Sequence, residues 1–142
     1  MPILSSPWSD RWLRPLFTRL HHWLRRGGEV RPGVHAIALT PARQIILVKL
    51  RYAPGWRLPG GGREPHEDFA TAALRELREE IGLTAHGSVR TVGELVIVED
   101  VTYRPRRWSW EVAAVAEAPL DQLPADMSKR AVGWLNAVRG RL

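Results

Sequence analysis

The sequence predicts an α/β fold in which a mixed sheet carries helices, and three observations support this prediction. Short runs rich in β-branched and other apolar residues occur both before and after a central helical segment. The central segment has the apolar spacing of an amphipathic helix. A second helical segment closes the chain. Strands that flank one helix and precede another are typical of a sheet with helices packed on it.

The chain has 142 residues, enough for one compact domain and too few for two ordinary ones. Its 44% apolar and 25% charged residues are typical of soluble globular proteins. It contains no cysteine, which excludes disulfides, thiolate metal sites and a cysteine nucleophile. Any metal must therefore bind to oxygen or imidazole ligands.

The first predicted strands are Val34–Leu39 and Ile45–Leu50, two short apolar runs. A turn that contains Pro41 separates them, so we expect a hairpin. The stretch 55–62 that follows is dense in glycine, and its backbone can therefore come close to other groups. We interpret this stretch as a loop.

The central helix is predicted from Asp68 to Ile81. Asp68 is a suitable N-cap, and Gly82 is a suitable residue to end the helix. The residues between them are mainly alanine, leucine, glutamate and arginine, which favour helix.

Two further strands, Val92–Val98 and Trp108–Ala116, and a last helix at Lys129–Arg139 complete the predicted elements. Trp108 and Trp110 alternate along the second of these strands, so we expect both on one face. We interpret them as core residues, with stacking on a base as the alternative.

The connection before that strand is basic. It contains three arginines, at positions 104, 106 and 107. We interpret these arginines as solvent-facing, and contact with phosphate groups is the alternative.

Three glutamates, Glu76, Glu79 and Glu80, crowd one face of the central helix because of their i,i+3 and i,i+4 spacing. Like charges so placed repel each other, and a hard cation would compensate them. Magnesium and manganese prefer carboxylate, carbonyl and water oxygens. The alternative is a solvated helix face in which Arg75 and Arg78 neutralise the acids.

The string that contains these glutamates runs from Gly61 to Leu83. It reads glycine, five residues, Glu67, seven residues and then RELREEIGL. At every specified position it resembles the Nudix box, the signature of the Nudix hydrolase family, and typical residue frequencies give a chance match of about 10⁻⁸. The preceding WRLPGGG at 56–62 is similar to the family's lead-in. The resemblance covers roughly residues 33–116 and implies an α/β/α sandwich around a mixed sheet.

The resemblance implies roles for the three helix glutamates. Glu79 and Glu80 match the paired acids that are the main metal ligands, and Glu76 matches an acid that is either a further ligand or the general base. The implied activity is hydrolysis of a phosphoanhydride linkage in a nucleoside diphosphate derivative or nucleoside triphosphate, with Mg²⁺ or Mn²⁺ as cofactor. The ions would neutralise the diphosphate and lower the pKa of bound water.

The same resemblance extends to three residues around the helix. Glu67 matches the first acid of the box, which supports a further metal or a neighbouring side chain. Arg75 matches an arginine that orients an acid by ion pairing. The carbonyl of Gly60 is an additional candidate metal ligand, because glycine leaves the backbone uncovered.

The region after the last predicted strand is shorter than in many Nudix proteins, in which a further strand and an acidic loop occur there. Glu94, Glu99 and Glu111 are candidates to replace the acids of that loop. The short region also motivates an alternative function, a non-catalytic Nudix-fold module that senses a nucleotide or binds a partner.

Residues 1–31 form a basic segment that we assign separately from a Nudix hydrolase domain at 32–142. Six arginines against two acids give this segment +4 of the net charge of +6. Wound as a helix, residues 7–26 separate large apolar side chains from most of the arginines. Such a helix suits packing within the protein, a homodimer contact, peripheral membrane contact or an organellar transit peptide.

We expect a nucleotide-type small molecule as the substrate and no nucleic acid as a partner, because most of the basic excess lies in the N-terminal segment. A chain without cysteine, a signal peptide or a long apolar stretch fits a cytoplasmic protein. A peripheral position at a membrane is the alternative.

Overall fold

The computed structural model describes residues 33–142, so the predictions for residues 1–31 lie outside the described residues. The described part contains nine strands and two α-helices. The strands are β1 (Gly33–Ala38), β2 (Gln44–Leu50), β3 (Trp56–Arg57), β4 (Gly60–Gly62), β5 (Leu83–Ala85), β6 (Val89–Val92), β7 (Leu95–Val98), β8 (Thr102–Tyr103) and β9 (Val112–Pro119). The helices are α1 (Phe69–Ile81) and α2 (Lys129–Val138), and a 3₁₀ turn (Arg139–Arg141) follows α2.

The strands form three sheets. A four-stranded sheet has the order β4-β1-β7-β6, a three-stranded sheet the order β3-β2-β9, and β5 pairs with β8. Within the four-stranded sheet, β1 runs parallel to β7 and antiparallel to β4. The mixed sheet that the sequence predicts is therefore confirmed.

The two helices cover opposite faces of the strands. Ala36 and Ala38 of β1 pack in a core that includes Leu77 of α1, whereas Ile37 packs in a second core that includes Leu135 of α2. Side chains of β2 and β7 divide between the two cores in the same alternating way. Because successive strand side chains point to opposite faces, this division produces an α/β/α sandwich.

Helix α1 has the ends that the sequence predicts. The Asp68 carboxylate accepts a hydrogen bond from the Thr71 backbone N–H at 2.7 Å, and Gly82 has the left-handed backbone conformation, with φ of 74°. Helix α2 begins after Ser128, whose hydroxyl accepts from the backbone N–H of Ala131. Neither helix of residues 33–142 is long and apolar enough to cross a membrane.

The predicted hairpin between the first two strands forms only at its tip. Leu39 and Ile45 make an isolated antiparallel bridge, while β1 and β2 belong to different sheets. The turn brings the strand ends together, but β1 pairs along four residues with β7 and β2 pairs along most of its length with β9.

The prediction of one strand at Val92–Val98 is wrong. The structure has two antiparallel strands there, β6 and β7, with Val92 opposite Leu95. The two-residue turn between them begins at Gly93, which has a φ of 61°. Glycine adopts such a conformation without steric cost, and two-residue turns of this kind join antiparallel strands.

The predicted strand Trp108–Ala116 begins later than expected, at Val112. The Ser109 hydroxyl accepts hydrogen bonds from the backbone N–H groups of Glu111 and Val112, and this local turn delays the strand. Trp108 and Trp110 therefore lie outside the strand and remain 40% and 58% exposed. The interpretation of both tryptophans as core residues is wrong.

Candidate active site

Two of the predicted site carboxylates are buried between α1 and β4. Glu76 is 1% exposed and Glu80 is 6% exposed. The backbone N–H of Gly60 donates a hydrogen bond to Glu80 Oε2 at 3.2 Å. A side chain at Gly61 would place its Cβ 2.5 Å from Glu76 Oε1, so it would push this buried carboxylate aside.

Arg75 joins the acids at the start of the helix to those further along it. Its guanidinium binds both carboxylate oxygens of Glu67, at 2.8 and 2.9 Å, and donates to the Gly62 carbonyl at 2.8 Å. It also lies 3.0 Å from Glu76 Oε1 and 3.5 Å from Glu79 Oε2. These contacts, the Glu67 hydrogen bonds first, raise the pKa of Arg75 above its ordinary value, so the group stays charged.

The electrostatics of the buried acids call for a positive charge. Burial, and then the neighbouring carboxylates of Glu76 and Glu111, raise the pKa of Glu80 well above its usual range. The hydrogen bond from Gly60 opposes this shift only in part. A cation placed beside these carboxylates would favour their ionised forms.

The residues present fit a divalent ion that the substrate helps to bind. Within residues 33–142, no three His, Asp or Glu side chains converge closely enough to hold a metal by themselves. Magnesium, however, commonly uses one or two protein carboxylates together with water and phosphate oxygens. Glu76 and Glu80 supply buried carboxylates, and Glu79, whose side chain is 32% exposed, supplies one at the surface.

Glu79 and Glu80 open onto a recess of about 80 Å³ that the sequence did not predict. The rest of its lining comes from strand β9, from Arg51 just after β2 and from the loop between β8 and β9. The lining includes Arg51, Arg106, Arg107, Trp108 and Ser109. No sequence motif identifies Arg51 as a site residue. It reaches the recess because β2 pairs with β9.

All the predicted site residues lie in one connected group, from Gly60 through Glu80 and Glu76 to Arg75, Glu67 and Glu79. Three acids were considered as replacements for the missing acidic loop. One of them, Glu111, is close enough to raise the pKa of Glu80 through its charge, and it accepts a hydrogen bond from the Tyr52 hydroxyl at 3.0 Å. Glu99 instead pairs with Arg43 and Ser88. Glu94 lines a separate recess beside His35.

Comparisons with known proteins identify the family of this chain. A family model described as NUDIX domain matches residues 29–137. A putative 8-oxo-dGTP diphosphatase of Bacillus subtilis (strain 168) is 45% identical over 53 residues, which are 37% of this chain and 36% of that protein. An RNA pyrophosphohydrolase of Pseudomonas savastanoi pv. phaseolicola (strain 1448A / Race 6) is 38% identical over 56 residues, which are 39% of this chain and 35% of that protein.

A solved structure shares the fold over a larger part of the chain. The crystal structure of a MutT NUDIX hydrolase from Burkholderia pseudomallei superimposes with a TM-score of 0.60 and 25% identity, covering 76% of this chain and 97% of that chain. The chain spans only about a third of the curated relatives named above. Because the family model covers far more than half of the sequence, the chain belongs to the NUDIX domain family.

Proposed function

We propose that this protein is a divalent-metal-dependent hydrolase that cleaves a phosphoanhydride linkage in a nucleoside diphosphate derivative or a nucleoside triphosphate. The observation that carries the proposal is the burial of Glu76 and Glu80 side by side against the glycine strand β4. Arg75 pairs with Glu76, but burial and the neighbouring carboxylates keep the pKa of Glu80 raised, so a purely structural role explains this second buried acid poorly. The pyrophosphohydrolase and diphosphatase names of the relatives support the same reaction class.

In this proposal Glu79 and Glu80 hold the metal together with phosphate and water oxygens, and Glu76 is a further ligand once the bound ion draws the acids together. Glu76 suits binding better than proton transfer, because it is 1% exposed and its Oε1 already accepts a hydrogen bond from Arg75. Glu67 and Arg75 position these acids. The backbone of Gly60 lies next to Glu80 and makes its carbonyl a candidate ligand.

The proposed chemistry divides between the ion and the chain. A bound Mg²⁺ or Mn²⁺ would neutralise the diphosphate oxygens and lower the pKa of a bound water. The chain holds the carboxylates in place through Arg75 and the N–H of Gly60, so that little reorganisation accompanies the reaction.

The experiment is an activity assay on a nucleotide panel with Mg²⁺ or Mn²⁺, following release of nucleoside monophosphate, phosphate and pyrophosphate. We expect Glu80→Gln and Glu79→Gln each to lower kcat by about 100-fold. The matched control is Glu99→Gln, which removes a carboxylate charge from a glutamate outside the site. Equal rates for the three variants would contradict the proposed ligands.

The same experiment tests the alternative of a non-catalytic Nudix-fold module. A nucleotide that raises the melting temperature, yet survives long incubation with protein and either metal, would favour sensing over hydrolysis. Absence of turnover on every member of the panel would overturn the proposed activity.

A further inference from the structure

The loop between β8 and β9, residues 104–111, concentrates exposed basic and aromatic side chains beside the candidate active site. We call it the arginine–tryptophan loop. Exposed side chains on it include Arg104, Arg106, Arg107, Trp108 and Trp110. Exposed tryptophans are unusual, because burying such a ring is among the most favourable contributions to folding.

Part of this loop lines the same recess as two of the site carboxylates. Arg106, Arg107 and Trp108 share that recess with Glu79 and Glu80. The recess therefore combines basic, aromatic and acidic side chains. A ligand that fits all three must be anionic where metal ions meet the glutamates, anionic again at the arginines, and planar at the tryptophan.

Other contacts hold the exposed Trp108 ring in position. The Arg51 side chain donates from Nε to the Ser109 carbonyl at 2.7 Å, and its guanidinium lies 5.2 Å from the centre of the Trp108 ring. Trp110 meets Trp108 edge to face, with ring centres 4.6 Å apart. A ring fixed in this way loses little entropy when a second planar group stacks on it.

We propose that the arginine–tryptophan loop makes this site selective for free nucleoside triphosphates. The base stacks on the exposed part of Trp108, and Arg106 and Arg107 bind the phosphate charge that is not neutralised at the glutamates. A nucleotide sugar has a base that can stack on Trp108, but it carries less phosphate charge for Arg106 and Arg107. It would therefore make only one of the two contacts fully. The inference rests on the proposed function, whose carboxylate site would bind the diphosphate part of the same ligand.

The test compares steady-state kinetics of Trp108→Ala and of the double variant Arg106→Ala/Arg107→Ala with the control Arg104→Ala. Arg104 is an exposed arginine of the same loop that does not line the recess. Substrates are a nucleoside triphosphate, a nucleotide sugar with the same base, and inorganic tripolyphosphate.

We expect Trp108→Ala to raise KM for the nucleoside triphosphate about tenfold, because stacking on an aromatic side chain is worth a factor of roughly 5 to 150. Its preference for the nucleoside triphosphate over tripolyphosphate should fall by the same factor. The double arginine variant should lose affinity for the triphosphate at least tenfold more than for the nucleotide sugar. Uniform losses in kcat across all substrates, or kinetics equal to those of Arg104→Ala, would overturn the inference.

A binding measurement separates this inference from the proposed hydrolysis. Calorimetry with Mg²⁺ and a triphosphate analogue in which methylene groups replace both the α,β and the β,γ bridging oxygens reports binding without turnover. If the wild type hydrolyses nothing but binds the analogue, and both loop variants weaken binding at least tenfold, the inference stands and the hydrolysis fails. If the wild type hydrolyses nucleotides but the loop variants bind as it does, only the inference fails. A 5′-triphosphorylated oligoribonucleotide preferred tenfold over the free triphosphate would also overturn it.

Discussion

At the scale of single residues, Arg75 shows how one cation holds several buried acids. Its planar guanidinium offers donors in fixed directions, which suits the two oxygens of Glu67 and leaves further N–H groups for Gly62 and Glu76. The carboxylates of Glu67 and Glu76 are 10% and 1% exposed, so water cannot replace this partner.

Replacing Arg75 should therefore destabilise the fold as well as the site. We expect Arg75→Ala to lower the free energy of unfolding by about 3 kcal/mol, because buried acids lose their compensating charge. Arg75→Lys should keep the charge but lose the bidentate contact with Glu67. Its free energy of unfolding should therefore lie between that of Arg75→Ala and that of the wild type. Urea denaturation measures both, with Arg78→Ala, an exposed arginine of the same helix, as the control. A similar loss in the control would contradict the assigned role.

His35 makes a second prediction at the residue scale. Its half-buried ring lies 4.1 Å from that of Trp134, and burial, followed by Arg130 and Arg57, lowers its pKa to about 4. The folded protein therefore holds His35 neutral, while the unfolded chain protonates it near pH 6.5. Above pH 6.5 both states are neutral, so the stability loss develops only as the pH falls from about 6.5 to about 4.

Denaturant unfolding at several pH values measures this dependence. The wild type should lose up to about 3 kcal/mol over that interval through this residue. His35→Phe should show a shallower decline, because the ring against Trp134 no longer titrates. His86→Gln removes an exposed histidine and should retain the wild-type slope. Identical slopes for the wild type and His35→Phe would refute the explanation.

At the scale of elements, the C-terminal end of helix α1 contacts the arginine–tryptophan loop. Gly82 ends the helix with a φ of 74°, and its carbonyl accepts a hydrogen bond from the backbone N–H of Arg104 at 2.8 Å. A Cβ at this position would overlap the Arg104 carbonyl. The helix and the loop, which line the same recess, are thus joined through one glycine.

Two glycine substitutions test this connection. Gly82→Ala should lower the free energy of unfolding by about 2 kcal/mol, through backbone strain and displacement of the loop. Gly133→Ala, inside α2 with open space around the new methyl group, should raise it by about 0.5–1 kcal/mol. Thermal melts of the pair measure both changes. A higher melting temperature for both variants would contradict the role assigned to Gly82.

At the scale of the whole molecule, the sandwich explains why the acids can be buried at all. Core side chains pack on both faces of the central strands and hold α1 in place. The favourable free energy of this packing offsets the repulsion between Glu76 and Glu80. A divalent cation that relieves this repulsion would bind the folded state in preference to the unfolded chain.

Addition of Mg²⁺ or Mn²⁺ should therefore raise the melting temperature. At ten times the dissociation constant the gain is about 1.4 kcal/mol, and Glu80→Gln should abolish most of it. Sodium chloride at equal ionic strength controls for general screening. A melting temperature that does not respond to either ion, at concentrations that support turnover, would contradict this link between metal and fold.

Features that depend on local spacing could be predicted from the sequence alone. The box from Gly61 to Leu83, helix α1 with its caps at Asp68 and Gly82, and the acids along that helix all follow from residues close together in the chain. The mixed sheet and the closing helix also follow from local apolar patterns. Strand boundaries were less predictable, since a turn at Gly93 and the hydroxyl of Ser109 break apparently continuous runs.

Which distant residues share the site depends on how the strands and loops pack in three dimensions. The pairing of β2 with β9 brings Arg51 to Trp108 and Tyr52 to Glu111, and the loop before β9 places Arg106 in the same recess as Glu79. The same alternation that resembled a buried strand at 108–111 instead forms an exposed loop. The physical reason is that burial and contact between distant residues depend on the packing of whole elements, whereas periodicity records only what neighbours along the chain can do.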